Sequence, residues 1–218
     1  MKILVSGSAS GIGLAAAKKY LELGHEVYGL DLQKSNISAL NYHHFVCDIR
    51  KKETLPDIEN IEILFNNAGL QNSEDDIQNN LVGTINVTEK YALNNSQIKS
   101  VLFNASASSI SGQEFPCYAA SKAGVVGYMR NLAIKLAPQK VTVNAISFGG
   151  VLTESNKPVI NNTIKWNKIM DVTPFKKWMT VEETTDWVIF LTLTNKSMSG
   201  QNLLVDNGEK DLNPTFVW

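Results

Sequence analysis

A glycine-rich turn near the start of the chain is the feature that most restricts the fold. Residues 2–5 form a short apolar run that predicts a buried strand, and residues 13–23 carry apolar side chains at helical spacing up to Gly24. The segment between them, residues 7–13, reads Gly-Ser-Ala-Ser-Gly-Ile-Gly. Glycines let a backbone turn tightly and approach a phosphate, and the N-terminus of the following helix offers unpaired N–H groups to an anion. The candidate pyrophosphate-binding residues are therefore Gly7, Ser10, Gly11, Ile12 and Gly13.

The rest of the chain alternates β-rich apolar runs with amphipathic stretches. Further strands are predicted at 26–30, 44–47, 61–65, 100–105, 141–146 and 202–205, and helices at 76–93, 116–136 and 181–193. This alternation predicts the α/β class, with a Rossmann-type doubly wound sheet of about seven parallel strands and helices on both faces. Residues 154–180 are mixed and are expected to form a helical flap over a substrate. The sequence contains no linker or internal repeat, so we expect one domain over residues 1–218.

Composition excludes several classes of protein. Apolar residues make up 44% of the chain and charged residues 19%, which suits a packed core. The net charge of −1 gives no electrostatic reason to expect nucleic acid or an acidic membrane surface as a partner. No apolar stretch approaches the roughly 18 residues of a membrane span. Cys47 and Cys117 lie far apart, and the three histidines lack metal-ligand spacing, so we expect no metal, no disulfide and a cytoplasmic location.

Acidic residues end the second and third predicted strands. In a sheet of this kind an acid at Asp31 accepts hydrogen bonds from the adenosine ribose and repels a 2′-phosphate. Residues 8–10 contain no arginine or lysine to offset that repulsion, so NAD is expected in preference to NADP, although Lys34 keeps NADP open. Asp48 either receives the adenine amino group or caps a helix around residues 50–55.

A phenol and an ammonium lie four residues apart in the predicted helix 116–136. Tyr118 and Lys122 therefore share one helix face. The spacing alone is weak, because many surface helices contain it by chance. A serine-rich turn at 106–109 precedes this helix and follows a predicted strand, and ligands of open α/β sheets bind at the carboxyl ends of the strands.

Several further motifs follow one another in a characteristic order. They are the glycine turn 7–13, Asn-Asn-Ala-Gly at 66–69, Asn-Leu-Val-Gly at 80–83, the strand-end serine, Tyr-x-x-x-Lys at 118–122, Ser-Phe-Gly-Gly with a threonine at 147–153, and Val-Asp-Asn-Gly at 205–208. In this order the sequence resembles the short-chain dehydrogenase/reductases, from Lys2 to about Gly208.

The resemblance implies a role for each member of the reactive group. Tyr118 would be the general acid in reduction and the general base in oxidation. Lys122 would favour ionisation of the phenol, whose ordinary pKa is about 10, and would bond the nicotinamide ribose. Asn80 would connect Lys122 to solvent through a water-mediated relay, or would be a buried residue that bonds a neighbouring backbone.

The resemblance also implies a catalytic serine that polarises the substrate oxygen. Ser106 aligns with the strand end and is the preferred candidate, although its distance from Tyr118 is one residue shorter than the family suggests. Ser108 and Ser109 remain alternatives, because turn-forming serines are common in such segments.

Other residues would contact the cofactor. Asn67, Ala68 and Gly69 would pack against the adenosine and stabilise the central sheet, and Val151 and Thr153 would meet the nicotinamide carboxamide. Phe148 stands where the family has a proline, and its ring either packs on the nicotinamide or fills the core.

The expected function is reversible hydride transfer between NAD(H) and a secondary alcohol or ketone. Two alternatives stay open: an NAD-dependent epimerase or dehydratase, and an NAD-binding sensor or scaffold without catalysis. The small residues of helix 116–136 suit close packing between subunits, so a homodimer or homotetramer is expected, whereas Cys117 is expected in a core or an interface.

Overall fold

The computed structural model describes residues 1–112, 114–210 and 212. The strands are β1 (Lys2–Ser6), β2 (Glu26–Asp31), β3 (Tyr42–Val46), β4 (Ile63–Asn66), β5 (Ser100–Asn104), β6 (Thr142–Phe148) and β7 (Asn202–Val205). The α-helices are α1 (Gly11–Glu22), α2 (Thr84–Tyr91), α3 (Ser108–Ser111), α4 (Pro116–Leu136), α5 (Lys157–Ile160), α6 (Thr163–Val172) and α7 (Val181–Ile189).

All seven strands join one parallel sheet in the order β3-β2-β1-β4-β5-β6-β7. The prediction of a doubly wound α/β fold is therefore confirmed. The strand order reverses between β1 and β4, and ligands of such sheets bind in the crevice at that reversal, beyond the carboxyl ends of the strands.

Two apolar cores lie on opposite faces of the sheet. Ala16, Ala17 and Tyr20 of α1 pack with Val188 of α7 in one of them. The other unites buried side chains of α2 and α4, among them Val87, Tyr91, Val125 and Met129. Burial on both faces explains why β6 is buried at every position, including its polar residues Thr142, Asn144 and Ser147.

Some predicted bounds were wrong. The third strand covers Tyr42–Val46 rather than 44–47, because its pairing register with β2 begins at Tyr42 opposite Val27. The helix expected around 50–55 is one 3₁₀ turn, Lys52–Thr54. The long helix predicted at 76–93 contains a π-helical segment, Gln78–Gly83, ahead of α2.

Within the described residues, no helix is long and apolar enough to span a bilayer. In the same part of the chain, no group of histidine, cysteine, aspartate and glutamate side chains has the arrangement of a metal site.

Candidate active site

The glycine turn closes tightly on itself and on the loop after β4. A Cβ atom added at Gly13 would lie 2.0 Å from the carbonyl oxygen of Gly7, and one at Gly7 would lie 2.7 Å from Cα of Ala68. Ser10 is the N-cap of α1, and its side chain makes no capping hydrogen bond. The Ser10 side chain therefore leaves the N–H groups of the first turn of α1 open to another acceptor, which fits a site for a phosphate.

Asp31 lies directly beside this turn. Its Oδ2 accepts a hydrogen bond from the backbone N–H of Ala9 at 2.9 Å, and its Oδ1 accepts one from Gln33 at 2.9 Å. A carboxylate in contact with the phosphate-binding turn is placed to bond ribose hydroxyls, and it would repel a phosphate group bound next to it.

The Asp48 carboxylate is already occupied. The Arg50 guanidinium donates to both of its oxygens, and the Arg50 backbone N–H bonds Oδ1 at 3.0 Å. These bonds hold the pKa of Asp48 below its usual range, with the side-chain hydrogen bond from Arg50 as the largest cause. Asp48 thus organises the loop after β3, and an adenine amino group would have to share its oxygens with Arg50.

Asn67 connects the carboxyl ends of three neighbouring strands. Its Nδ2 donates to the carbonyl oxygens of Ser6 and Gly7 at 3.3 and 3.1 Å, and its Oδ1 accepts from Nδ2 of Asn104 at 2.9 Å. The N–H groups of Asn67 and Ala68 both donate to the Ser6 hydroxyl. This network connects the ends of β1, β4 and β5 beside the crevice between β1 and β4.

The two members of the Tyr-x-x-x-Lys pair meet on α4. Pro116 occupies the first turn of that helix, where a missing N–H costs nothing. Nζ of Lys122 lies 5.8 Å from the centroid of the Tyr118 ring and donates to the main-chain oxygen of Asn104, at the end of β5, at 2.7 Å. The Lys122 side chain is buried, at 4% exposure.

Burial shapes the titration of both groups. It lowers the pKa of Lys122 to about 8, because the ammonium loses its hydration, and the nearby Asp76 carboxylate opposes that change. Burial also raises the pKa of Tyr118, a hydrogen bond with Ser106 lowers it, and the charges of Glu114 and Asp76 raise it further. The phenol therefore holds its proton firmly in the protein alone.

The three candidate serines have different partners. Of the three, Ser106 is the one whose hydroxyl acts on the Tyr118 phenol, and it lowers the pKa of that group. It also donates to Oγ of Ser108 at 3.2 Å, and the Ser108 hydroxyl donates onward to Oε2 of Glu114 at 2.7 Å. Ser109 turns the other way and bonds Ser147 of β6 at 3.3 Å.

The Asn80 side chain is fully engaged by protein atoms. Its Oδ1 accepts from Leu70 N at 2.7 Å and from Asn79 at 3.1 Å, and its Nδ2 donates to Leu70 O at 2.8 Å and to Ser121 Oγ at 3.0 Å. These four bonds use every donor and acceptor of the amide. The side chain thus ties the loop after Gly69 to α4, and π-helical turns such as the one that carries it are often found at functional sites.

The loop after β6 faces the glycine turn. Val151 is buried and pairs with Met179, and a Cβ atom at Gly11 would lie 3.6 Å from Cγ2 of Thr153. The turn after β1 and the loop after β6 therefore border one crevice. Phe148 lies in the apolar core, so of the two positions considered for its ring the core is the observed one.

Residues 154–180 contain α5 and α6, so the helical character predicted for this segment is observed. The rings of Trp166 in α6 and Trp178 pack edge to face with centroids 5.2 Å apart, which anchors α6 to the segment before α7. Of the two positions expected for Cys117, the core is wrong, because its side chain is exposed in this chain, and packing in a subunit interface stays a prediction.

Two acidic residues near Tyr118 were missed by the sequence analysis. Asp76 is 1% exposed, and its Oδ1 accepts from Ser73 N at 3.1 Å while its Oδ2 accepts no hydrogen bond from the described residues. Asp76 follows Ser73 by three residues, and this spacing is a capping-box signal that could have indicated the start of a helix. The spacing could not have shown that the Asp76 carboxylate lies near Lys122. Glu114 gave no signal, because side-chain directions in an irregular segment cannot be inferred from sequence.

Comparisons with known proteins identify the family. The family described as enoyl-(acyl carrier protein) reductase matches residues 7–210. The chain therefore belongs to the short-chain dehydrogenase/reductase family of oxidoreductases.

Individual relatives agree with this assignment. The 3-oxoacyl-[acyl-carrier-protein] reductase FabG of Buchnera aphidicola subsp. Acyrthosiphon pisum is 27% identical over 235 residues, covering 94% of this chain and 95% of that protein. A crystal structure with bound NADP, provisionally named a 2-deoxy-D-gluconate 3-dehydrogenase of Agrobacterium tumefaciens, matches with a TM-score of 0.87 at 26% identity and covers 95% of both chains. A 4-hydroxyisoleucine dehydrogenase complexed with NADH shares the fold at a TM-score of 0.86 and 23% identity, covering 96% of this chain and 98% of its own.

Proposed function

We propose that this chain transfers a hydride reversibly between NAD(H) and a secondary alcohol or ketone. The observation that carries the proposal is the meeting of Tyr118, Lys122 and Ser106 at the carboxyl edge of the sheet, beside the crevice between β1 and β4. Family membership supports oxidoreductase chemistry, and relatives bound to NADP and to NADH support a nicotinamide cofactor.

The glycine turn and Asp31 fit such a dinucleotide. The first turn of α1 would bind the pyrophosphate, through Gly11 and its neighbours, and Asp31 would bond the adenosine ribose. Thr153 and Val151, across the crevice, would contact the nicotinamide end. When bound, the cofactor supplies or accepts the hydride.

The protein's own groups handle the proton. In reduction, the Tyr118 hydroxyl would donate its proton to the carbonyl oxygen while the Ser106 hydroxyl bonds the same oxygen and stabilises its developing charge. Lys122 would stabilise the phenolate that results, and a proton from solvent would then restore the phenol. In oxidation the phenolate would accept the hydroxyl proton of the alcohol.

NAD is the proposed cofactor in preference to NADP. The Asp31 carboxylate contacts the turn through Ala9, so a 2′-phosphate bound there would face a fixed negative charge. Residues 8–10 supply no cationic side chain to neutralise it.

The chain is also proposed to be one dinucleotide-binding domain that assembles as a homodimer or homotetramer through α4. A Cβ atom at Gly127 would meet no atom of the described residues within 4 Å, so a helix from a second subunit has room to approach. Light scattering coupled to gel filtration should show an oligomer that Gly127→Leu dissociates without unfolding. A wild-type monomer at micromolar concentration would contradict this part of the proposal.

The decisive experiment is a panel of alcohols and ketones assayed with both NADH and NADPH. We expect turnover with NADH that Tyr118→Phe lowers by about 10²- to 10⁴-fold, because the variant cannot transfer the proton. Calorimetry should show that the variant still binds NADH. Full turnover by Tyr118→Phe would refute the acid/base assignment, and NADH binding without turnover of any compound would favour a sensor or scaffold.

A further inference from the structure

Glu114 bridges two loops at the rim of the site. It lies between α3 and α4, and its Oε2 accepts hydrogen bonds from Oγ of Ser108 at 2.7 Å and from Nε2 of Gln71 at 3.1 Å. Gln71 belongs to the loop after β4, on the other side of the crevice. A carboxylate thus lies between the two loops that flank Tyr118, and it remains exposed to solvent.

The backbone holds Glu114 in an unfavourable conformation. Its φ of +74° lies in the left-handed region, which costs a residue with a Cβ conformational energy. Such conformations persist where surrounding interactions compensate, and they are frequent at ligand-binding sites. The bonds from Ser108 and Gln71 supply that compensation and fix where the charge lies.

Hydroxyl groups connect Glu114 to the reacting atoms. The Ser106 hydroxyl, which lowers the pKa of the Tyr118 phenol, donates to Ser108, and Ser108 donates to Glu114. The hydroxyl groups of Ser106 and Ser108 would therefore connect a substrate oxygen bound by Ser106 and Tyr118 to the Glu114 carboxylate.

A second carboxylate near Tyr118, that of Asp76, is buried and has the same negative charge as Glu114. Oδ2 of Asp76 is buried without a hydrogen-bond partner among the described residues, and its charge acts on both Tyr118 and Lys122. Burying a hydrogen-bond acceptor without a partner costs free energy, and a group that donates a hydrogen bond to it removes that cost. The charges of Glu114 and Asp76 thus both act on the phenol, and the Lys122 ammonium lies 5.8 Å from the centroid of its ring.

We propose that Glu114 determines substrate specificity by charge. It selects alcohols and ketones that carry a hydrogen-bond donor, a hydroxyl or an ammonium group, close to the reacting carbon, and it discriminates against those with a carboxylate or phosphate there. This inference rests on the proposed function, because it concerns the substrate of the same site.

The experiment uses three ketones that differ in one terminal group. They are 4-hydroxybutan-2-one, 4-aminobutan-2-one and acetoacetate, each tested with NADH as a substrate for kcat/KM, or for Ki against the best panel substrate where it is not turned over. The wild type should prefer the hydroxyl and ammonium ketones to acetoacetate. Raising the salt concentration should lower kcat/KM for the ammonium ketone, raise it for acetoacetate and change it least for the neutral hydroxyl ketone, since salt screens charges at an exposed site.

Glu114→Gln and Glu114→Gly remove the charge in two ways. The glutamine keeps an acceptor, and the glycine suits the positive φ, so loss of discrimination in both cannot be attributed to misfolding. We expect each variant to lower the ratio of ammonium to carboxylate efficiency by ~10-fold. Glu59 is an exposed carboxylate before β4, at the opposite edge of the sheet. Glu59→Gln should therefore leave the ratio unchanged.

Two failures are distinguishable. A ratio that stays within about twofold of wild type in both Glu114 variants overturns this inference and leaves the proposed function intact. If the wild type shows no Tyr118-dependent turnover of any compound in the wider panel, the proposed function is overturned, and this inference with it.

Discussion

The Lys122 ammonium lies 5.8 Å from the centroid of the Tyr118 ring and is bonded to the main-chain oxygen of Asn104 at 2.7 Å. This anchor places a buried positive charge beside the phenol instead of letting the side chain extend into solvent. Burial lowers the pKa of Lys122 to about 8, so holding the ammonium beside the phenol costs stability at neutral pH.

That cost predicts an unusual dependence of stability on pH. Between pH 8 and 10.5 the unfolded chain keeps the lysine proton that the folded chain has lost, so the free energy of unfolding increases with pH. Relative to Lys122→Met, the wild type should gain about 2 to 3 kcal/mol of stability between pH 7 and pH 10. Urea unfolding of both proteins at several pH values measures this difference.

Lys135→Met provides the control for this prediction. Lys135 is an exposed residue of the same helix, and its replacement should change stability equally at all pH values. If the curves for wild type and Lys122→Met ran parallel, Lys122 would titrate alike in both states, and the buried-ammonium account would be wrong.

Asp31 should govern the choice between NADH and NADPH. Asp31→Asn removes the negative charge and keeps an oxygen that can accept the Ala9 N–H. We expect the ratio of kcat/KM for NADPH to that for NADH to increase by ~10-fold, because the 2′-phosphate no longer meets a carboxylate. Asp48→Asn, whose carboxylate bonds Arg50, should affect both cofactors alike. An unchanged ratio in Asp31→Asn would show that discrimination lies elsewhere.

The tight closure of the glycine turn gives a third prediction. Gly13→Ala brings a methyl group against the Gly7 carbonyl oxygen, so the turn must open. We expect a loss of about 2 to 3 kcal/mol in unfolding free energy and weaker NADH binding by calorimetry. Gly24→Ala introduces a strained φ at the other end of α1 with no clash, so it should destabilise the chain by about 1 to 2 kcal/mol while NADH affinity stays the same. Equal NADH affinity in Gly13→Ala would place the pyrophosphate elsewhere.

The sequence was most informative where local chemistry decides structure. Helix α4 covers Pro116–Leu136 as predicted, because the proline pre-sets the first turn, and β7 covers the predicted residues 202–205. The third strand was displaced because its limits depend on pairing with β2, a non-local interaction. The predicted helix at 50–55 shrank to one turn because Asp48 bonds Arg50 and directs the chain into a loop.

Within the site, the sequence indicated candidate reacting residues but not what surrounds them. Tyr118, Lys122 and Ser106 were proposed from the order of the motifs and the resemblance to the family. Glu114 and Asp76 were not, because their influence on Tyr118 depends on loop conformation and on burial, which arise only when distant segments pack.

Asn80 provides the last prediction, because its four hydrogen bonds leave the amide no capacity to carry a proton to solvent. We therefore expect its side chain to act as a positioning residue, and any relay to use main-chain atoms. Asn80→Ala should lower the unfolding free energy by about 2 to 4 kcal/mol, since it removes the bonds that Asn80 makes with its buried partners Asn79 and Ser121. Below the melting temperature, KM for NADH should rise because the loop after Gly69 loosens, while the solvent isotope effect on kcat stays at the wild-type value.

Ser121→Ala, which removes one of the four bonds, should show a smaller change of the same kind. A solvent isotope effect that changes in Asn80→Ala while stability does not would instead put the amide in the proton path.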